Sequence, residues 1–110
     1  MGLKLTGPAG TSILTIGDTF SAGGLTIKYL RHDVDGSLVL LYNKTPTVLV
    51  GVRLTYRPHR GLIHLVALNG HRTVCGRRLP RDNVRLRRAI DVSCGTCVAR
   101  EVAARLKGIK

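Results

Sequence analysis

Three cysteines and one histidine constrain this chain more than any other feature. Three thiols cannot all pair as disulfides, and Cys94-Gly-Thr-Cys97 has the spacing that lets two thiolates grip one metal ion. A tetrahedral site needs two further ligands. Cys75 supplies the third, and hairpin arithmetic points to the fourth. Gly61 to Leu68 and His71 to Cys75 are β-prone runs joined by Asn69-Gly70, the residue pair that favours a two-residue type I′ turn. In that register Ala67 faces Arg72, Val66 faces Thr73, Leu65 faces Val74 and His64 faces Cys75. Directly opposed residues share a face with Cβ atoms about 5 Å apart, close enough to chelate one ion. The expected site is therefore His64, Cys75, Cys94 and Cys97, with zinc as the cofactor. His71, beside the turn, and His59, before the hairpin, are the alternatives for the fourth ligand. A redox use of the CxxC pair leaves Cys75 unexplained, and no βαβ pattern precedes the motif.

Charge supplies the second constraint. The chain of 110 residues carries 18 Lys and Arg against 6 Asp and Glu, a net charge of +12. Residues 1–52 contribute +1 and residues 53–110 contribute +11. Seven of the arginines lie between Arg72 and Arg88. Arg suits bidentate phosphate contact, whereas Lys acts as a point charge. Nucleic acid is therefore the expected partner, with Arg53, Arg72, Arg77, Arg78, Arg81, Arg85, Arg87 and Arg88 as the contacting residues. With aromatic residues at only 4%, stacking platforms for a dedicated single-strand binder are scarce.

Outside this basic region the chain reads as β. Thr11 to Ile16, Leu25 to Leu30, Ser37 to Tyr42 and a long run from Thr47 to Tyr56 have strand composition. Turns are expected at Gly17-Asp18, Ser21 to Gly24 and Asp33 to Gly36, with a break at Lys44-Thr-Pro46. Gly76 to Arg88 reads as loop with at most a helical turn. Val98 to Lys107 reads as a helix, since Val98, Val102 and Leu106 recur at helical spacing, Glu101 and Arg105 form an i,i+4 pair, and Gly108 terminates it. The expected fold is mainly β, a small barrel or sandwich, with a zinc-stabilised hairpin and a C-terminal helix. The expected units are residues 1–58, β-rich, and residues 59–110, a basic zinc-binding hairpin-loop-helix module, packed together.

Residues 62–106 resemble a small zinc-finger-like module of actinobacterial and phage-encoded proteins, through His64-Leu-Val, Arg72-Thr-Val-Cys75-Gly-Arg77 and Val92-Ser-Cys94-Gly-Thr-Cys97. That resemblance implies metal binding. The first half is similar to the carbon storage regulator (CsrA-like) family of RNA-binding translational regulators. The carrying residues are Leu3-Lys-Leu-Thr6, Gly10, Ile13, Ile16-Gly-Asp18, Gly36, Val39, Leu41, Pro46 and Arg53. Arg53 takes the place of an RNA-contacting Arg in that family, while Gly7 stands where its first such Arg would be. This likeness implies RNA over DNA.

Several chemistries fit poorly. Glu101 is the only Glu, and no His-x-Glu accompanies the CxxC pair as in zinc deaminases. Four protein ligands would also close the metal's coordination sphere to substrate water. Gly7-Pro-Ala-Gly-Thr-Ser12 lacks the Lys of a phosphate loop and reads as a turn. Asp33 and Asp35 read as a solvated turn, and Asn43-Lys-Thr45 is a formal sequon without meaning inside a cell. No apolar run approaches the roughly 20 residues of a membrane span, and no secretory signal opens the chain. The expectation is a cytoplasmic, non-enzymatic, regulatory protein of phage type, zinc-containing and nucleic-acid-binding. Two alternatives stand beside it. One is an interaction module or phage-type inhibitor docking on an acidic surface of a host nucleic-acid machine. The other is a structural component of a nucleoprotein particle.

Overall fold

The computed structural model describes residues 2–8, 10–58, 61–68, 70–80 and 84–107. Among these residues nine strands form three antiparallel sheets. Strands β1 (Leu3–Gly7) and β2 (Gly10–Leu14) make a two-stranded ribbon. Strands β3 (Thr19–Ala22), β4 (Leu25–His32), β5 (Leu38–Tyr42) and β6 (Thr45–Leu49) make a four-stranded meander. The third sheet has the order β8-β7-β9, from β7 (Val52–Tyr56), β8 (His64–Leu65) and β9 (Val84–Arg88). A single turn of 3-10 helix at Ala89–Asp91 precedes α1 (Gly95–Lys107). The fold is thus mainly β with one C-terminal helix, as expected, and no barrel closes among the described residues.

One continuous core joins the whole. Alternation along the strands turns Leu3, Leu5, Phe20, Ile27, Tyr29, Leu38, Leu40 and Leu49 inward, where they meet Val98, Ala99 and Val102 of α1. Helix α1 packs across β1, β3, β4 and β6 and also reaches β8. The segments on either side of residue 58 therefore share that core, and they share a sheet as well: β7 precedes residue 58, yet both its partners follow it.

The run from Thr47 to Tyr56, read as one long strand, is two. It breaks at Val50-Gly51, where the chain passes from the meander to the third sheet. The Gly51 carbonyl accepts the Ala89 N–H at 2.8 Å, and a Cβ there would lie 2.6 Å from the Asp35 carbonyl oxygen. The close approach demands glycine. Nor does Lys44-Thr-Pro46 form the break after β5. The turn is at Asn43 and Lys44, whose φ values of 48° and 64° are those of a type I′ hairpin. Pro46 sits inside β6, an edge strand, where a missing N–H is tolerated. Finally, Val84 to Arg88, read as loop, is strand β9. Its pairing along the whole of β7 overrides a composition with three arginines in five residues.

Candidate metal centre

The hairpin holding two of the expected ligands has the anticipated register. Val66 pairs with Thr73, the Ala67 N–H donates to the Arg72 carbonyl at 2.8 Å, and the Val74 N–H donates to the Leu65 carbonyl at 2.8 Å. The turn lies one residue earlier than expected. The Gly70 N–H closes it on the Ala67 carbonyl at 3.0 Å, with Gly70 at φ 75°. Asn69 itself is outside the described residues. The register is unchanged as far as Leu65 and Val74, and Cys75, in the turn that follows, still meets His64.

Past Thr73 the chain folds back again. The Gly76 N–H donates to the Thr73 carbonyl at 2.9 Å, the Thr73 N–H to the Arg77 carbonyl at 2.8 Å, and Arg72 pairs with Arg78. Cys75 is carried at the tip of this second turn. The Thr73 hydroxyl holds it from both sides, lying 3.1 Å from the Cys75 sulfur and accepting the Arg77 N–H at 2.8 Å.

The CxxC pair arrives from the other direction. Ser93 and Cys94 both donate their N–H groups to the Ile63 carbonyl at 3.1 Å, and the Ser93 hydroxyl accepts the Ile63 N–H at 2.9 Å. These bonds lash the start of α1 to the residue before His64. Cys94 then occupies the position just before the helix and Cys97 its first turn. Gly95 between them is fixed by packing, since a Cβ there would fall 2.2 Å from the Phe20 ring.

The outcome is a convergent cluster. The candidate ligand atoms of His64, Cys75, Cys94 and Cys97 all lie within 4.8 Å of one another, and all but Cys75 are buried. His64 Nδ1 lies 3.4 Å from the Cys75 sulfur and 3.7 Å from that of Cys97. The Arg77 guanidinium faces His64 Nε2 at 3.4 Å, which leaves Nδ1 as the ring nitrogen directed at the sulfurs and at any cation they would hold. Tyr56 stacks against the imidazole with ring centroids 6.2 Å apart.

Electrostatics favour a cation here. The Cys97 S–H donates to Cys94 and holds that thiol down at about 4, outweighing burial, which pushes it up; His64 adds to the lowering. Cys97 is pushed far up by the same hydrogen bond, by its burial and by the neighbouring sulfurs. Two thiols thus hold one proton between them, and a second negative charge is resisted until a positive ion balances it. Three thiolates and one imidazole make a soft donor set suited to zinc. The cluster could hold a metal ion, and all four residues expected for it are there. His71 is not part of the cluster, and His59 lies outside the described residues.

The expected nucleic-acid contacts fare unevenly. Arg72, Arg77, Arg78, Arg85 and Arg88 are exposed; Arg88 reaches Asp91 at 3.3 Å, and Arg72 donates to the Gly76 carbonyl at 3.1 Å. Arg87 is half-buried and donates to the Thr55 hydroxyl at 2.9 Å. Arg53 is engaged elsewhere. It donates to Glu101 at 3.0 Å, with only 14% of its side chain exposed, and Arg105 grips the other carboxylate oxygen at 3.0 Å. Arg81 is outside the described residues. Two supporting residues lie outside the expected set. Thr73 could have been found from its position two residues before Cys75, whereas Arg100, which donates to the Cys75 carbonyl at 3.1 Å, had no such signal.

Glycines 7 and 10 face each other at the β1–β2 turn, Asp35 accepts the Ser37 N–H at 2.9 Å, and no described helix is long and apolar enough to cross a membrane. Searches of protein-family models, curated proteins and solved structures return no match for this chain.

Proposed function

We propose that the protein is a non-enzymatic, zinc-stabilised module that binds nucleic acid through arginine contacts to phosphate, with RNA favoured over DNA. The observation that carries this reading is the position of Cys75. It stands at the tip of a turn with Arg72 on one side and Arg77 and Arg78 on the other, within 4.8 Å of the other three ligand atoms. Zinc held there orders the turn and so presents the paired Arg72 and Arg78 together. Four protein ligands leave no open position on the ion, which suits a structural metal and not a hydrolytic one.

Arg88, on the face of β9 that also carries Val84 and Leu86, adds to this basic surface, while Arg85 stands on the opposite face. Arg53 has no part in it, being held by Glu101. The test is a mobility-shift titration with single-stranded and duplex RNA at rising salt. Each phosphate neutralised contributes about 0.7–0.9 to the slope of log K against log salt. A steep slope, reduced by Arg72→Ala and by Arg78→Ala, is the expected result. Binding that scarcely changes between low and moderate salt refutes the reading.

A further inference from the structure

The outer face of the third sheet carries a feature that phosphate binding does not use. Opposed pairs in β7 and β9 set Val52, Leu54 and Tyr56 against Arg88, Leu86 and Val84 on one face, while Arg53 and Thr55 stand on the other, toward α1. Part of the first face lies beneath the 70–80 segment, and a groove of about 910 Å³ opens between them. Its floor is aliphatic: Leu54, Val66 and Val84, with Leu79 on the wall. Arg72 and Arg78 stand at the rim, and no carboxylate is among the described lining residues.

Neither rim arginine forms an ion pair with a described residue. The apolar surface runs on past the groove, where Leu86 is 67% and Val52 56% exposed. The other large hollow makes a contrast. It measures about 520 Å³ and mixes Lys4, Arg57 and Arg88 with Asp33 and Asp91, so it selects no ligand charge. The described lining of the groove beside β7 instead combines positive charge with aliphatic surface.

We propose that this groove is a docking site for an acidic peptide segment, its aliphatic side chains entering the Leu54–Val66–Val84 floor and its carboxylates meeting Arg72 and Arg78. Nucleic acid fits the rim but not the floor. Bases stack on aromatic rings or guanidinium planes, and the floor offers neither. Aliphatic side chains, in contrast, gain by leaving water for such a surface, and a guanidinium fork matches a carboxylate in two hydrogen bonds. A groove of this size is in the range of pockets that bury a small ligand or a few side chains. The inference goes beyond the phosphate-binding reading and stands without it.

The experiment selects binders from a random dodecapeptide library on the full chain, then measures the best of them by fluorescence anisotropy. The selected pool is expected to place Asp or Glu beside Leu, Ile or Val. Leu54→Asp, and separately Arg72→Glu/Arg78→Glu, are expected to weaken binding about tenfold or more. Lys4→Glu/Lys28→Glu changes the net charge equally on other strands and is expected to leave it unaltered. A pool without carboxylates, or equal loss in the Lys4/Lys28 variant, overturns the proposal. So does displacement of the peptide by oligouridine from wild type and Leu54→Asp alike. Leu54→Asp separates the two functions, since it alters the groove floor and leaves every arginine in place. If no peptide is selected while RNA still binds, the groove proposal alone falls. If RNA binding is absent while the peptide binds, the phosphate reading alone falls.

Discussion

Two regions of the molecule are ordered by different means. In the four-stranded meander nearly every strand turns large aliphatic side chains inward, and Ile27, Leu38, Leu40 and Leu49 are buried to within 1%. In the 70–80 segment Thr73 alone is buried, yet the chain reverses twice there. Burial cannot offset the conformational entropy of that segment, which must be held by polar bonds and by whatever joins Cys75 to its three partners. The contrast teaches that the candidate metal cluster is to the 70–80 segment what apolar burial is to the meander, a counterpart anchored in the core itself through buried Cys94 and Cys97.

The largest expected effect comes from removing that counterpart. Chelation, or Cys97→Ser, forfeits a metal-binding free energy on the order of 10 kcal/mol. Amide exchange should then accelerate at Val74, Gly76 and Arg77 while β4 and β5 stay protected. Equal acceleration in both regions would erase the contrast. The converse perturbation, Leu40→Ala, deletes a fully buried side chain and should cost about 2–5 kcal/mol in urea denaturation, with bound metal unchanged at concentrations where the chain remains folded.

A third test addresses the joint between the regions. Glu101 on α1 grips Arg53 of the third sheet and Arg105 of its own helix. Burial pushes its carboxyl up, but the two guanidinium groups outweigh this and hold it below the usual 4.5. A lowered native pKa means the unfolded chain binds the extra proton first, so the contribution is present above the ordinary carboxylate range and lost as pH falls through it. Glu101→Gln should cost about 2 kcal/mol at neutral pH, because it leaves Arg53 enclosed without its anion. The difference from wild type should close in acid. A difference independent of pH would assign the effect to packing. The smallest effect is expected for Thr73→Val. It removes the hydroxyl that fixes Cys75 and should weaken metal affinity about tenfold while leaving the core untouched.

How much of this was legible in the sequence follows the same division. The ligand set was readable because antiparallel pairing conserves register: closing the turn by Gly70 on Ala67 leaves Leu65 opposite Val74, and the next turn keeps Cys75 within reach of His64. The helix was readable from Val98, Val102 and Leu106. The break at Gly51 was not, because its cause is the approach of Asp35, which is remote in sequence. Strand β9 was hidden for the same reason, since its arginines read as loop until β7 lies beside them. Arg53 resembled an RNA contact by position, and only its distance to Glu101 shows that it is an internal ion pair.

The most direct test of the central claim is zinc K-edge absorption on the purified full chain, with metal content measured beside it. One zinc per chain bound by three sulfurs and one nitrogen is the predicted result, with stoichiometry collapsing in Cys94→Ser and in His64→Ala. A chain that folds with no metal, or one that keeps its zinc in both variants, would contradict it.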